Sequence, residues 1–144
     1  MTSEARAARV EGLKRFKART LALAGPKAEA ALRRANELNA RDFHALVLRI
    51  VPRGDPKDGN LADTLRIEAR PPTGTAVSIG SAAHPYPFHL EVGHKLPDGT
   101  HVPGKAYWVP AKRVSKKKAQ GRLARAERLV IKAAAAAGAG GSNE

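Results

Sequence analysis

The chain has 144 residues, the size of one domain with room for an appendage. Its 26 Lys+Arg against 13 Asp+Glu leave a formal charge of +13, which points to acidic partners: nucleic acid, an acidic protein face or an anionic membrane. With no Cys there is no disulfide framework, thiolate nucleophile or Cys-ligated zinc, and the longest apolar run, Ala133 to Ala137, is far short of the ~20 residues of a membrane-spanning helix.

The charge is unevenly spread. Residues 1–50 carry 11 Lys/Arg against 5 Asp/Glu, residues 51–104 carry 5 against 6, and residues 105–144 carry 10 against 2. The beginning of the chain lacks an apolar signal core, so a soluble protein of a reducing interior is expected. The 42% apolar share is swollen by alanine and aromatics make up only 4%, so the core should be thin and assembly should contribute stability.

Residues 3–23 read as a helix with Val10, Leu13, Phe16 and Leu21 on one stripe, capped at Thr2 or Ser3 and stopped by Gly25-Pro26. Pro26 opens a second helix whose stripe runs Ala28, Ala31, Leu32, Ala35, Leu38, Phe43, Leu46, Ile50 and ends before Pro52. Residues 52–60 form a loop. Leu65–Arg70 and Thr75–Gly80 alternate as strands of an antiparallel hairpin turned by Pro71-Pro72-Thr73-Gly74. Phe88–Val92 reads as a short helix or a strand, Leu96–Thr100 as a hairpin tip, and Tyr107-Trp108-Val109 as a short strand. From Ala111 a final helix follows, with Ala119, Leu123, Ala126, Val130 and Ala133 or Ala134 near one face, Val114 off it and Gly121 a weak point. The expected fold is α+β: two N-terminal helices, a small antiparallel sheet and a C-terminal helix packed on it. It forms a single domain over residues 1–137 with a flexible Gly-rich tail over 138–144.

Catalytic patterns are sparse. His84, His89, His94 and His101 crowd near Glu91, but His89 and His94 stand five apart with Gly93 between them. This is not the His-Glu-x-x-His helix of zinc hydrolases, so surface or packing roles are preferred to a metal site. No serine sits in a Gly-x-Ser-x-Gly elbow, and Asp55, Asp58 and Asp63 read as turn and cap residues. The expectation is a non-enzyme without metal or cofactor. The binding candidates are Lys112, Arg113, Lys116, Lys117, Lys118, Arg122 and Arg125, a basic run on the last helix with no aromatic interleaved. Such a run suits phosphate backbone or an acidic protein neighbour, and does not suit base readout.

Several motifs in order resemble a known family. After the long helix come Pro56-Lys57-Asp58-Gly59-Asn60-Leu61-Ala62-Asp63-Thr64-Leu65 and a hairpin. Then follow Tyr86-Pro87-Phe88-His89-Leu90-Glu91-Val92-Gly93-His94 and Ala106-Tyr107-Trp108-Val109-Pro110-Ala111. This order resembles the head–tail joining proteins of long-tailed bacteriophages, the neck or tail-completion group related to the minor tail protein Z type. Pro56, Asp58, Gly59 and Leu61 match that family's Pro-x-Asp-Thr-Gly-x-Leu-x-x-Ser loop. Tyr86, Glu91 and Gly93 match its Tyr-Ala…Glu-Phe-Gly-Thr segment, and Pro110 and Ala111 its Pro-Phe-Leu-x-Pro-Ala lead into the last helix. Here the residue between Asp and Gly is missing, and Thr64, Val92 and His94 stand for Ser, Phe and Thr.

In physical terms Gly59 lets the chain reverse, Leu61 returns to the core, Pro110 sets the first helical turn, and Glu91 is an acceptor for backbone N–H groups or an Arg. The resemblance implies a structural virion protein in a homo-oligomeric ring, taken as a hexamer. Its neighbours would be head-closure, tail-terminator or tail-tube proteins, with genomic DNA in the lumen and no membrane. The competing reading is a free, non-sequence-specific nucleic-acid-binding protein.

Overall fold

The computed structural model describes residues 3–54, 59–83 and 85–139; for residues 3–12 and 139 it describes the helical backbone alone. The elements are α1 Ser3–Ala24, α2 Pro26–Ile50, a 3-10 turn Leu61–Thr64, β1 Arg66–Arg70, β2 Gly74–Ser78, α3 Pro87–Val92, β3 Gly93–Lys95, β4 His101–Pro103 and α4 Trp108–Ala139. β1 pairs antiparallel with β2 and β3 with β4, two separate two-stranded sheets. The fold is α+β and mostly helical.

Gly25 is the extended N-cap of α2, and its carbonyl accepts from the N–H groups of Ala28 and Glu29 at 3.0 and 3.1 Å. Pro26 takes the first helical position, where a missing N–H costs no bond, and Glu29 suits the positive helix end. At the far end the Val51 N–H bonds to the Val47 carbonyl at 2.8 Å before Pro52 stops the helix.

The long helices meet through small side chains. Ala28, Ala35 and Ala40 of α2 and Ala126 and Ala134 of α4 are buried. Alanine lets helix axes approach closely, so contact area comes from backbone as much as from side chains. The same rule overturns the stripe expected for α1. Leu13, Phe16 and Leu21 are 68%, 67% and 63% exposed, whereas the half-buried positions are Ala18 and Ala22. Arg19, Leu23, Ile131, Ala134 and Ala135 line an open hollow between α1 and α4, and Gly138 sits under the Arg19 side chain. α1 therefore docks on α4 through alanines and leaves its large apolar groups outside.

Further corrections concern the second half. α4 lies mainly on α1 and α2, and the β1–β2 hairpin lies on α2, so the last helix does not use the sheet as its platform. The Tyr107-Trp108-Val109 stretch is not a strand, because α4 begins at Trp108. α4 runs without a break through Gly121 and includes Gly138 and Ala139 of the expected tail. On β1, Ile67 is 39% exposed and the half-buried residue is Glu68, held by Arg66 at 2.8 Å and Arg70 at 3.2 Å.

The core proper sits where the end of α2, the 3-10 turn and the start of α4 converge. Val47, Val51, Leu61, Ala62, Leu65, Tyr107 and Ala111 form one buried cluster flanked by Phe43, Leu46, Val77, Ile79, Leu90 and Trp108. Deleting methyl groups there leaves a cavity, so Leu61→Ala is expected to lower unfolding free energy by about 2–5 kcal/mol. Leu13→Ala should change it by less than about 0.5 kcal/mol. Urea denaturation followed by circular dichroism checks both, and equal losses would contradict this placement of the core.

Candidate functional site

The first turn of any helix has N–H groups with no intrahelical partner. In α4 they are accounted for one by one. Glu91 Oε2 accepts from the Tyr107 and Trp108 N–H groups, both at 2.8 Å, and Oε1 accepts from Val109 at 2.9 Å. Pro110 has no N–H. The Ala111 N–H then bonds to the Tyr107 carbonyl at 3.2 Å and the helical ladder begins. A carboxylate at this end also meets the positive pole of the helix.

Burial raises the Glu91 pKa, but the bonds from Tyr107, Val109 and Trp108 outweigh it and hold the carboxyl below its ordinary 4.5. Beside it, burial and the Glu91 charge push the Tyr107 phenol above its ordinary 10.0, and its OH donates to the Pro87 carbonyl at 3.1 Å. Glu91 is thus spent on structure. With both its oxygens occupied by N–H donors, it is not disposed to act as a base or a metal ligand.

The strand that follows α3 is fixed by a close backbone approach. Gly93 has φ of +86°, and a Cβ there would stand 2.6 Å from the Val102 carbonyl oxygen. Gly104, which the sequence did not single out, faces it: a Cβ there would stand 2.5 Å from the Glu91 carbonyl oxygen. The Lys105 N–H bonds to the Leu90 carbonyl at 2.7 Å and completes the bracket around Glu91.

The other motif residues gather nearby. Gly59 has φ of 76° where the chain returns from α2, and Leu61 is buried. Gly59, Leu61, Tyr86, His89 and His94 share the lining of a ≈ 300 Å³ cavity. The Tyr86 carbonyl accepts from the Leu90 N–H at 3.1 Å. The Thr64 hydroxyl donates to the Leu61 carbonyl at 2.7 Å and accepts from the Gly80 N–H at 2.8 Å, a role that Ser or Thr fills equally. Pro56, Asp58 and His84 lie outside the described residues. The His89 and His94 rings meet edge to face at 5.7 Å, while His101 lies on β4. No group of three metal-type ligands converges among the described residues.

The basic run of α4 splits into three directions. Lys118 and Arg122 turn onto Asp42 of α2, each at 2.8 Å, and Arg122 also donates to Asn39 Oδ1 at 2.6 Å. Asn39 in turn donates to the Ala119 carbonyl at 3.2 Å, so this cluster ties α2 to α4. The bonds from Lys118 and Arg122 lower the Asp42 pKa from its ordinary 3.8. Asp42 and Asn39 carry no motif of their own; their spacing of three on α2, opposite Lys118 and Arg122 four apart on α4, is the available signal. Lys112 and Lys116 stand beside a groove between α2, β2 and α4. Arg113, Lys117 and Arg125 are exposed, and none has an ion pair with another described residue.

Folding lowers the Glu91 and Asp42 pKa values. Their stabilisation is therefore complete above the ordinary 4.5 and 3.8 and is lost as pH falls through the lowered folded-state values. Gln at position 91 turns an amide against N–H donors, so Glu91→Gln should cost about 2–3 kcal/mol at neutral pH. The gap to the wild type should narrow as pH falls below 4.5, where the unfolded chain's carboxyl protonates first, and close once pH passes the lowered native value. Denaturant titrations at a series of pH values check this, and a pH-independent gap would contradict it.

No family model, curated protein or solved structure matches this chain.

Proposed function

We propose that this chain is a structural subunit of the neck of a long-tailed bacteriophage, assembling with copies of itself into a ring that joins head to tail around the DNA channel. Its place is the virion, and its neighbours are head-closure, tail-terminator or tail-tube proteins. The observation that carries this reading is the convergence of the resembling motifs. Residues that are scattered in sequence come together near the start of α4: Leu61 and Ala111 share the buried cluster, Glu91 takes the first N–H groups of the helix, Gly93 lies in the bracket around it, and Gly59, Leu61 and Tyr86 line one cavity.

The surface supports the reading as well. Leu13, Phe16, Leu129 and Ile131 are each more than half exposed, apolar area of the kind that subunit contacts cover. A closed ring follows from a head-to-tail contact whose rotation closes. A channel that lets DNA slide should not grip phosphates, so the exposed cations of α4 are better used on acidic faces of neighbouring proteins.

The test uses the outward cations and spares Lys118 and Arg122, whose loss would loosen the α2–α4 tie. A phage genome carrying Arg113→Glu, Lys117→Glu and Arg125→Glu in this chain should yield filled heads and free tails that do not join. The purified variant should keep the wild-type circular dichroism. Normal infectious particles would contradict the reading. Tight duplex binding by the wild-type monomer, falling steeply with salt, would favour the free nucleic-acid-binding protein instead.

A further inference from the structure

A second surface on α4 has a different chemistry. Between α2, β2 and α4 runs an open groove of ≈ 440 Å³, within the size range of ligand and peptide pockets. Ala40 and Phe43 of α2, Val77 of β2, and Trp108 and Leu123 of α4 give it an apolar floor. Lys112 and Lys116, one helical turn apart, are the charged groups among the described residues of its lining, which include no carboxylate. The Thr75 hydroxyl also lies in the lining, buried and without a hydrogen-bond partner. The side-chain amides of Asn36 and Asn39 are already committed to the Thr73 and Ala119 carbonyls at 2.8 and 3.2 Å.

We infer that this groove docks an acidic segment of another protein, with an apolar anchor side chain on the Phe43, Val77 and Leu123 floor and flanking carboxylates on Lys112 and Lys116. Charge complementarity selects the occupant. Two cations on a lining whose described residues include no acid attract carboxylates, and a half-buried apolar floor gains from an anchor that excludes water. Phosphates of a duplex would reach the lysines but leave the floor uncovered, and a second copy of a +13 chain brings like charge to the rim. The inference rests on the docking reading of α4 but concerns the isolated chain, so it stands or falls separately from head–tail joining.

Trp108, the only Trp, is the reporter: its ring meets Phe43 edge to face at 4.8 Å in the groove wall. The full chain is titrated with a short synthetic peptide of alternating Glu and Leu while Trp108 emission is followed. A saturable shift is expected. It should weaken at least about fivefold when Glu is replaced by Gln in the peptide, or when the protein carries Lys112→Gln and Lys116→Gln. It should vanish when the peptide's Leu is replaced by Ser, and Lys117→Gln, on the outward side, should leave it unchanged. No saturable shift, equal binding of the Gln peptide, or equal loss with Lys117→Gln would overturn the inference. So would duplex DNA producing the same shift with the same lysine dependence, or a shift that grows with protein concentration alone. Peptide binding that persists in particles failing to join, or joining that survives loss of peptide binding, tells the failure of one reading from the failure of the other.

Discussion

A 32-residue helix begins at the edge of the core, and its first N–H groups have one acceptor, the Glu91 carboxylate. The rest of the structure depends on that arrangement. It places Tyr107 and Ala111 in the buried cluster with Val47, Val51 and Leu61, and so fixes where α4 crosses α2. It also explains why α3 and the β3–β4 hairpin exist: together they form the bracket that holds the carboxylate. Gly93 and Gly104 are there because that bracket brings two backbones closer than side chains allow.

Once its start is fixed, α4 sorts its cations by direction. One side turns Lys118 and Arg122 inward to Asp42 and Asn39, a polar tie between helices whose apolar contact is mostly alanine. Another presents Lys112 and Lys116 beside an apolar groove, and a third presents Arg113, Lys117 and Arg125, exposed and without an ion pair among the described residues. A run that looks uniform in sequence therefore has one structural part and two that face solvent.

The sequence disclosed what depends on local periodicity. α2, the β1–β2 hairpin and the body of α4 follow from apolar spacing and turn residues. It misled where a distant partner decides. Tyr107-Trp108-Val109 has strand-forming side chains, but its N–H groups are taken by a carboxylate 16 residues upstream. On α1 the apolar stripe of large side chains points away from the contact face, which is made by Ala18 and Ala22 because close helix packing favours small residues. The Asp42–Arg122 pair spans 80 residues, and the spacing of polar residues on each helix does not by itself join the two halves. In the site, Glu91 was legible as an acceptor, since it is the only acid between Glu68 and Asp98, but its donors could be either backbone or Arg until the fold placed them.

The central claim is that the Glu91 carboxylate holds the start of α4. Amide hydrogen exchange at Tyr107, Trp108 and Val109 in the wild-type chain tests it most directly. At neutral pH these amides should be protected like those in the middle of α4, with protection falling as Glu91 protonates on acidification. Exchange at neutral pH as fast as at a frayed helix end would contradict the claim.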